Sequence, residues 1–288
     1  MYNNTLDSLV IALGELYLGD CWHGTATDGS TTTLADTTAR SEPDDFFNSQ
    51  NAEIYFRTGA NKGLTRRISD FVSSTGTSTW VTAATAVVAG VKYSIHAQYR
   101  RPRLVRAINE AIERVRESPI RRSSTSIVLA TGTYEYPVPD GFLYINRITM
   151  EDGNGQFDGE EPIPNDQWGV SFEDGYRIRF HRFPLADAPE GWNYTGFWAD
   201  NELTSGRRLR VEGIGYQAVL VDDTDICSLN PDYVLNHAAA ILIATSAGAS
   251  PNIAASASQR ATMLQRRADE ARVLHTIRSL PVGSKRVA

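Results

Sequence analysis

Cysteine is nearly absent from this sequence: Cys21 and Cys227 are the two in 288 residues. They cannot build a disulfide framework and have no metal-type spacing, so buried thiols in a protein that folds in a reducing cytoplasm are expected. Long apolar runs are missing too. No segment offers about eighteen uninterrupted apolar residues, and the start, MYNNTLDSL, lacks the basic opening and apolar run of a secretory signal, so no membrane passage is expected. Five histidines, His23, His96, His181, His237 and His275, stand singly, with no H-E-x-x-H or paired spacing to hold a metal. Neither G-x-S-x-G nor a G-x-G-x-x-G after a strand occurs, and Gly59-Ala-Asn-Lys-Gly63 lacks phosphate-loop spacing, so it reads as a hairpin loop. Enzyme activity finds no support, and no cofactor is expected.

What is present is ordinary in bulk and uneven in detail. The apolar fraction, 41%, and the charged fraction, 22%, are those of a soluble globular chain long enough for about two domains. The net charge of −6 hides a strong asymmetry. From Tyr99 to Arg122 eight arginines face three glutamates, and from Gln259 onward seven basic residues face two acids, a local +5 each time. Between Glu151 and Asp225 sixteen acids face six arginines, a local −10. Such asymmetry reports on partners and solubility, and here it fits either a piece of an assembly or the solvated faces of a monomer. The arginines could touch DNA phosphates, but an acidic chain argues against a high-affinity DNA binder.

One helix organises the chain. In YRRPRLVRAINEAIERVRESP, residues 99–119, Pro102 takes a first-turn position and Leu104, Ile108, Ala111, Ile112 and Val115 draw an apolar stripe. An earlier helix is predicted over Leu6–Leu18, capped by Asn4 or Thr5 and stopped by Gly19. After residue 228, Asn230 caps a helix through Tyr233, Val234, His237, Ala238, Ile241, Leu242 and Thr245, and a basic helix follows over Ser256–Ser279. Between these lie two stretches of short Thr-, Val-, Ile- and aromatic-rich runs punctuated by turn residues, the pattern of antiparallel β structure. In the second, strands are predicted over Tyr176–Phe183, Trp192–Trp198, Arg207–Gly213 and Ala218–Val221, after a polar linker at Ile120–Ser126. The expected fold is α+β: a small helical bundle from residues 1–20, 99–122 and 228–279, an inserted small β-barrel-like module at 21–98, a second β-sandwich-like module at 123–227, and a mobile tail at 280–288.

Two clusters could carry chemistry. Asp152, Asn154 and Asp158 sit at alternate positions as in a calcium loop, but the sixth position is not glycine and no helices flank it, so a solvated turn is expected. Trp168, Trp192, Tyr194, Phe197 and Trp198 could stack on sugars or bases, or serve as core and interface aromatics.

The order of parts is similar to a known family. The start TLDSLV, the helix R-P-x-L-V-x-A-I-N-E-A-I, the strand and turn T-G-T-Y-E-Y-P-V-P-D-G-F, and D-D-T-D-I-C-S-L-N-P-D-Y-V-L-N-H-A-A-A-I-L-I before a basic helix resemble head-to-tail adaptor (connector or neck) proteins of tailed bacteriophages. The large first β insertion departs from the smallest members. The resemblance implies a virion protein of the neck, assembled in the host cytoplasm as a homo-oligomeric ring, commonly a dodecamer. Such a ring docks on the portal protein, continues the DNA channel without sequence-specific binding, and offers a platform to tail or neck proteins. In that setting Arg278, Lys285 and Arg286 are candidate portal-binding residues. Tyr233, His237, Ile241, Leu104 and Ile108 are candidate subunit-interface residues, and Asp152, Asp158, Glu160 and Glu161 are candidate acidic residues facing the channel. The alternative is another tail or baseplate protein whose aromatic β module binds glycans.

Overall fold

The computed structural model describes residues 4–38, 42–115, 120–130, 133–152, 154–157, 162–172, 175–180, 206–246, 251–275 and 285–287. The chain divides into two compact units, Met1–Val115 with Val219–His275, and Arg116–Ala218 with Thr276–Ala288. The class is mixed, with five α-helices and four antiparallel sheets among the described residues.

Four helices build the body of the first unit: α1 (Leu6–Ala12), α3 (Arg101–Arg114), α4 (Pro231–Ser246) and α5 (Pro251–His275). The Thr5 hydroxyl oxygen caps α1 by accepting from the Ser8 N–H, and the Asn230 side-chain oxygen accepts from the Asp232 N–H at the start of α4. After Ala12 the chain continues as a π-helical run, Leu13–Leu18, which Gly19 closes in the left-handed conformation, φ 67°. The predicted stripe of α3 is buried: Leu104, Ile108, Ala111 and Ile112 meet Leu6, Leu9 and Leu13 and the α4 residues Val234, Ala238 and Leu242. Each buried Leu or Ile contributes about 1.5–3 kcal/mol of apolar transfer, so this cluster stabilises the unit substantially. Small residues, Ala238 and Ala239 on α4 and Ala261 and Ala268 on α5, form much of the buried surface of those two helices and allow close approach.

The segment after α1 forms two four-stranded antiparallel sheets. One takes the order β1 (Cys21–Thr25), β8 (Lys92–His96), β4 (Glu53–Phe56), β5 (Thr65–Arg67). The other takes the order β2 (Asp28–Gly29), β3 (Thr33–Ala35), β7 (Thr77–Thr79), β6 (Asp70–Val72), and a short helix, α2 (Phe46–Ser49), precedes β4. Both sheets feed one core around Phe47, Phe56, Phe71, Trp80 and Tyr93. The expected barrel is corrected here: among the described residues neither sheet closes on itself, and β1, β5, β2 and β6 remain edges. At Gly76, φ 60°, a Cβ would collide with the Asp36 carbonyl, so the turn between β6 and β7 requires glycine.

The second unit holds a four-stranded sheet, β15 (Lys285–Arg286), β11 (Phe142–Met150), β14 (Arg208–Gly215), β9 (Ile120–Val128). It also holds a three-stranded sheet, β10 (Glu135–Pro137), β13 (Arg177–Phe180), β12 (Trp168–Ser171). Their shared core contains Ile145, Ile148, Trp168, Ile178, Phe180, Leu209 and Val211.

Three expectations change. The residues read as a polar linker, Ile120–Ser126, belong to β9, an edge strand whose ladder to β14 needs no apolar alternation beyond Ile120 and Ile127. No strand forms at Ala218–Val221; instead the Leu220 backbone is held at both its N–H and its C=O by the Asn109 side chain. The end of the tail is not loose: Lys285 and Arg286 pair with Ile145 and Tyr144, and Val287 is buried in the same core. The predicted strand Trp192–Trp198 lies outside the described residues.

Candidate functional site

The β module leaves the helical body and returns to it at one point. Asp20, the residue before β1, accepts hydrogen bonds from the backbone N–H groups of Gln98 and Tyr99, the residues between β8 and α3. Burial pushes the Asp20 carboxyl up, and these backbone donors oppose the shift. Strands β1 and β8 run side by side in register from Cys21 opposite His96 to Thr25 opposite Lys92. Entry and exit are thereby clamped together.

Behind that clamp lies a partly buried ion network centred on the buried Arg101. Arg101, at the start of α3, places Nη2 2.5 Å from Asp223 Oδ1 and 3.2 Å from Asp7 Oδ1 on α1. Arg57, just after β4, donates twice to Asp7 Oδ2, at 2.8 and 2.6 Å. The Tyr55 hydroxyl donates to Asp223 Oδ2 at 2.5 Å, and the Arg101 guanidinium stacks over the Tyr55 ring, 3.9 Å from its centroid. Burial, then the bond to Asp223, pushes the Tyr55 phenol up to about 12. The neighbouring His96 is held neutral: burial first, then Arg101 and Arg57, lowers its pKa to about 3. Two cations and two carboxylates from α1, the β module, α3 and the segment before α4 thus neutralise one another. The arrangement ties α1, the β module, α3 and the segment before α4 together through ion pairs and hydrogen bonds.

This network was not identified from sequence, since its members are up to 216 residues apart along the chain, Asp7 to Asp223. One signal was available. Arg101 stands three residues before Leu104 and seven before Ile108, in phase with the apolar stripe, and a charge in that register has to be paired.

The residues singled out by sequence fall in different places. Tyr233, His237, Leu104 and Ile108 are buried in the body's own core, and Ile241, partly buried, packs against it. Their apolar periodicity marks burial without saying against which chain. The Tyr233 hydroxyl donates to the Ala111 carbonyl, and its ring stacks on His237, 5.6 Å between centroids. Lys285 donates from Nζ to the Trp168 carbonyl at 2.8 Å, while the Arg286 side chain is exposed. Asp152 shapes its own turn, accepting from the Asn154 and Gln156 N–H groups, and these bonds, Gln156 first, hold its carboxyl below the usual range. Arg278, Asp158, Glu160 and Glu161 lie outside the described residues, as do Trp192, Tyr194, Phe197 and Trp198. Trp168 is fully buried, which removes it as a stacking platform for sugars.

Both cysteines are free and buried; burial pushes the Cys21 thiol up to about 12 and the Cys227 thiol up to about 11. Among the described residues no group of three or more His, Cys, Asp or Glu is placed to hold a metal ion. No described helix is long and apolar enough to cross a membrane.

No curated protein matches the chain. The family model described as SU10 adaptor protein matches residues 34–282, which takes in most of both units, including α3, α4 and the residues Arg57, Arg101 and Asp223 of the network. That match covers well over half of the sequence, and the chain belongs to the SU10 adaptor family.

Proposed function

We propose that this chain is a structural, non-enzymatic adaptor of the head-to-tail junction of a tailed bacteriophage. Copies close into a ring that docks on the portal, continues the DNA channel and presents an attachment platform to the tail. The observation that carries the reading is the family match across residues 34–282. The architecture supports it: a helical body with a packed core, tied by ion pairs around Arg101, gives each copy a rigid frame, and heterologous repetition of one contact closes a ring. The acidic stretch from Glu151 to Asp225, with Asp152, Asp158, Glu160 and Glu161, suits a wall that repels passing DNA. Arg278, Lys285 and Arg286 are the basic residues assigned to portal binding.

Negative-stain and cryogenic imaging of the purified protein, alone and mixed with portal rings, tests this. Ring-shaped particles stacked on the portal are expected, together with the chain in the mass spectrum of purified virions. Absence from virions, with no binding to portal rings, would refute the proposal.

A further inference from the structure

The helical body carries two unlike patches at opposite ends of one rod. At the N-terminal end of α1 the loop Val219–Ile226 is tied down by backbone bonds, Leu6 N–H to the Asp225 carbonyl and Asp7 N–H to the Asp223 carbonyl. This loop holds up apolar side chains, Val221 at 76% and Ile226 at 68% exposure, beside the exposed carboxylate of Asp222. At the other end, ten residues and roughly 15 Å along the helical run, Leu16 and Tyr17 of the π-helical turns form a groove with α4 and α5 of about 450 Å³. Leu16 is 61% and Met263 50% exposed in it, and Arg260 and Arg267 flank them. Arg260 donates to the Tyr17 carbonyl at 2.6 Å, a carbonyl of the π-helical run. The groove also contains Asn236, buried, whose Oδ1 has no hydrogen-bond partner.

Single exposed apolar side chains are ordinary on protein surfaces. Here five of the eleven large exposed ones among the described residues, Leu16, Met263, Val219, Val221 and Ile226, gather in these two patches, and each patch carries the opposite sign of charge at its rim. Apolar centres with charged rims are the anatomy of protein interfaces. An orphaned acceptor such as Asn236 Oδ1 inside a groove costs free energy until a donor arrives. The two patches sit at opposite ends of the same helical run, so one copy cannot bring its own loop to its own groove without dismantling α1. A second copy can.

We propose that the groove bounded by Leu16, Met263, Arg260 and Arg267 receives the Val219–Ile226 loop of a neighbouring copy of this chain, with Val221 and Ile226 against Leu16 and Met263, and Asp222 against Arg267. The contact is head-to-tail, so its repetition generates a ring or a filament according to the rotation between copies. The inference rests on the ring reading above and assigns the surfaces that would form it.

A charge swap tests it. The oligomeric state of the wild-type chain, Arg267→Glu, Asp222→Arg and the double variant is measured by mass photometry and sedimentation velocity, with circular dichroism confirming that each is folded. Wild type is expected to self-associate, each single variant to do so roughly tenfold or more weakly, and the double variant to recover, because attraction is restored with the signs exchanged. As a second readout, Met263→Cys with Val221→Cys is expected to give a ladder of intermolecular disulfides on mild oxidation, the native thiols being buried. Closed oligomers that persist in both single variants, with no ladder, overturn this contact and leave the ring reading standing. A wild-type chain that stays monomeric at high concentration and forms no ladder overturns the contact and counts against the ring as well.

Discussion

Removing the guanidinium of Arg101 is the most direct probe of how the β module is held. Arg101 is buried between Asp7 and Asp223, and truncation to methionine keeps its aliphatic packing while deleting both ion pairs and the stacking on Tyr55. Breaking a buried pair costs about 3–5 kcal/mol, largely because the remaining charge is stranded. Here neither carboxylate is fully stranded, since Asp7 keeps Arg57 and Asp223 keeps the Tyr55 hydroxyl, which places Arg101→Met near the lower end, about 3 kcal/mol. Asp223→Asn leaves Arg101 its second partner, Asp7, and should cost about 2 kcal/mol, the value of a charge-assisted bond. Since both substitutions delete one shared interaction, the double variant should lose about 3 kcal/mol in place of the additive 5, a coupling of about 2 kcal/mol. Urea unfolding of the four proteins measures this cycle, and hydrogen exchange should report loosened amides along β1 and β8. Additivity within about 0.5 kcal/mol would refute the idea that these residues form one cooperative clamp.

Other expectations follow from buried groups and contacts. His96 titrates near 6.5 when unfolded and near 3 when folded, so below pH 6.5 the unfolded chain takes up a proton that the folded chain refuses. Stability should therefore fall as pH drops from 6.5 to 5, by up to about 1.4 kcal/mol per unit from this ring, and His96→Asn should flatten the slope in urea melts; an unchanged slope sinks the assignment. His237, also held down by burial, adds the same sign. The thiols of Cys21 and Cys227 should resist iodoacetamide at pH 8 until the chain is unfolded, which mass spectrometry reads directly; rapid labelling of the native protein would contradict their burial. Deleting Lys285–Ala288 removes β15 and the buried Val287, and should lower the stability of the second unit by about 2 kcal/mol while exposing the Tyr144 and Ile145 amides to exchange. Gly76→Ala should cost more than about 1 kcal/mol, from the left-handed backbone and the clash with Asp36, and a neutral effect on melting would refute that.

The helices could be read from sequence because their signals are local. The stripe Leu104, Ile108, Ala111, Ile112 repeats within one element, Pro102 and Pro231 occupy first-turn positions, and Asn230 caps as its residue type suggests. What failed was non-local. Ile120–Ser126 looks polar because an edge strand is held by backbone ladders, which leave little mark on side-chain choice. The pairing of Lys285–Arg286 with β11 joins residues about 140 apart, and the short run has a single apolar anchor, Val287, to announce it. The apolar faces of α3 and α4 were legible as faces, but periodicity cannot say whether Tyr233 or Ile108 packs against its own chain or another copy; the structure answers that they pack within the chain. The clamp escaped for the same reason, since Asp7, Arg57 and Asp223 each look like surface charges until folding brings them together around Arg101.

The clamp at Asp20 has an engineering consequence. Residues 21 and 98 emerge as near neighbours from a body whose own core is made of other segments, so the stretch between them is expected to behave as a cassette on a socket. A short two-residue bridge could replace the cassette, provided that Arg101 is neutralised along with Asp7 and Asp223, and foreign folds with adjacent termini could be grafted in its place. Variation among such proteins would then concentrate in what is plugged in, while the socket stays the same.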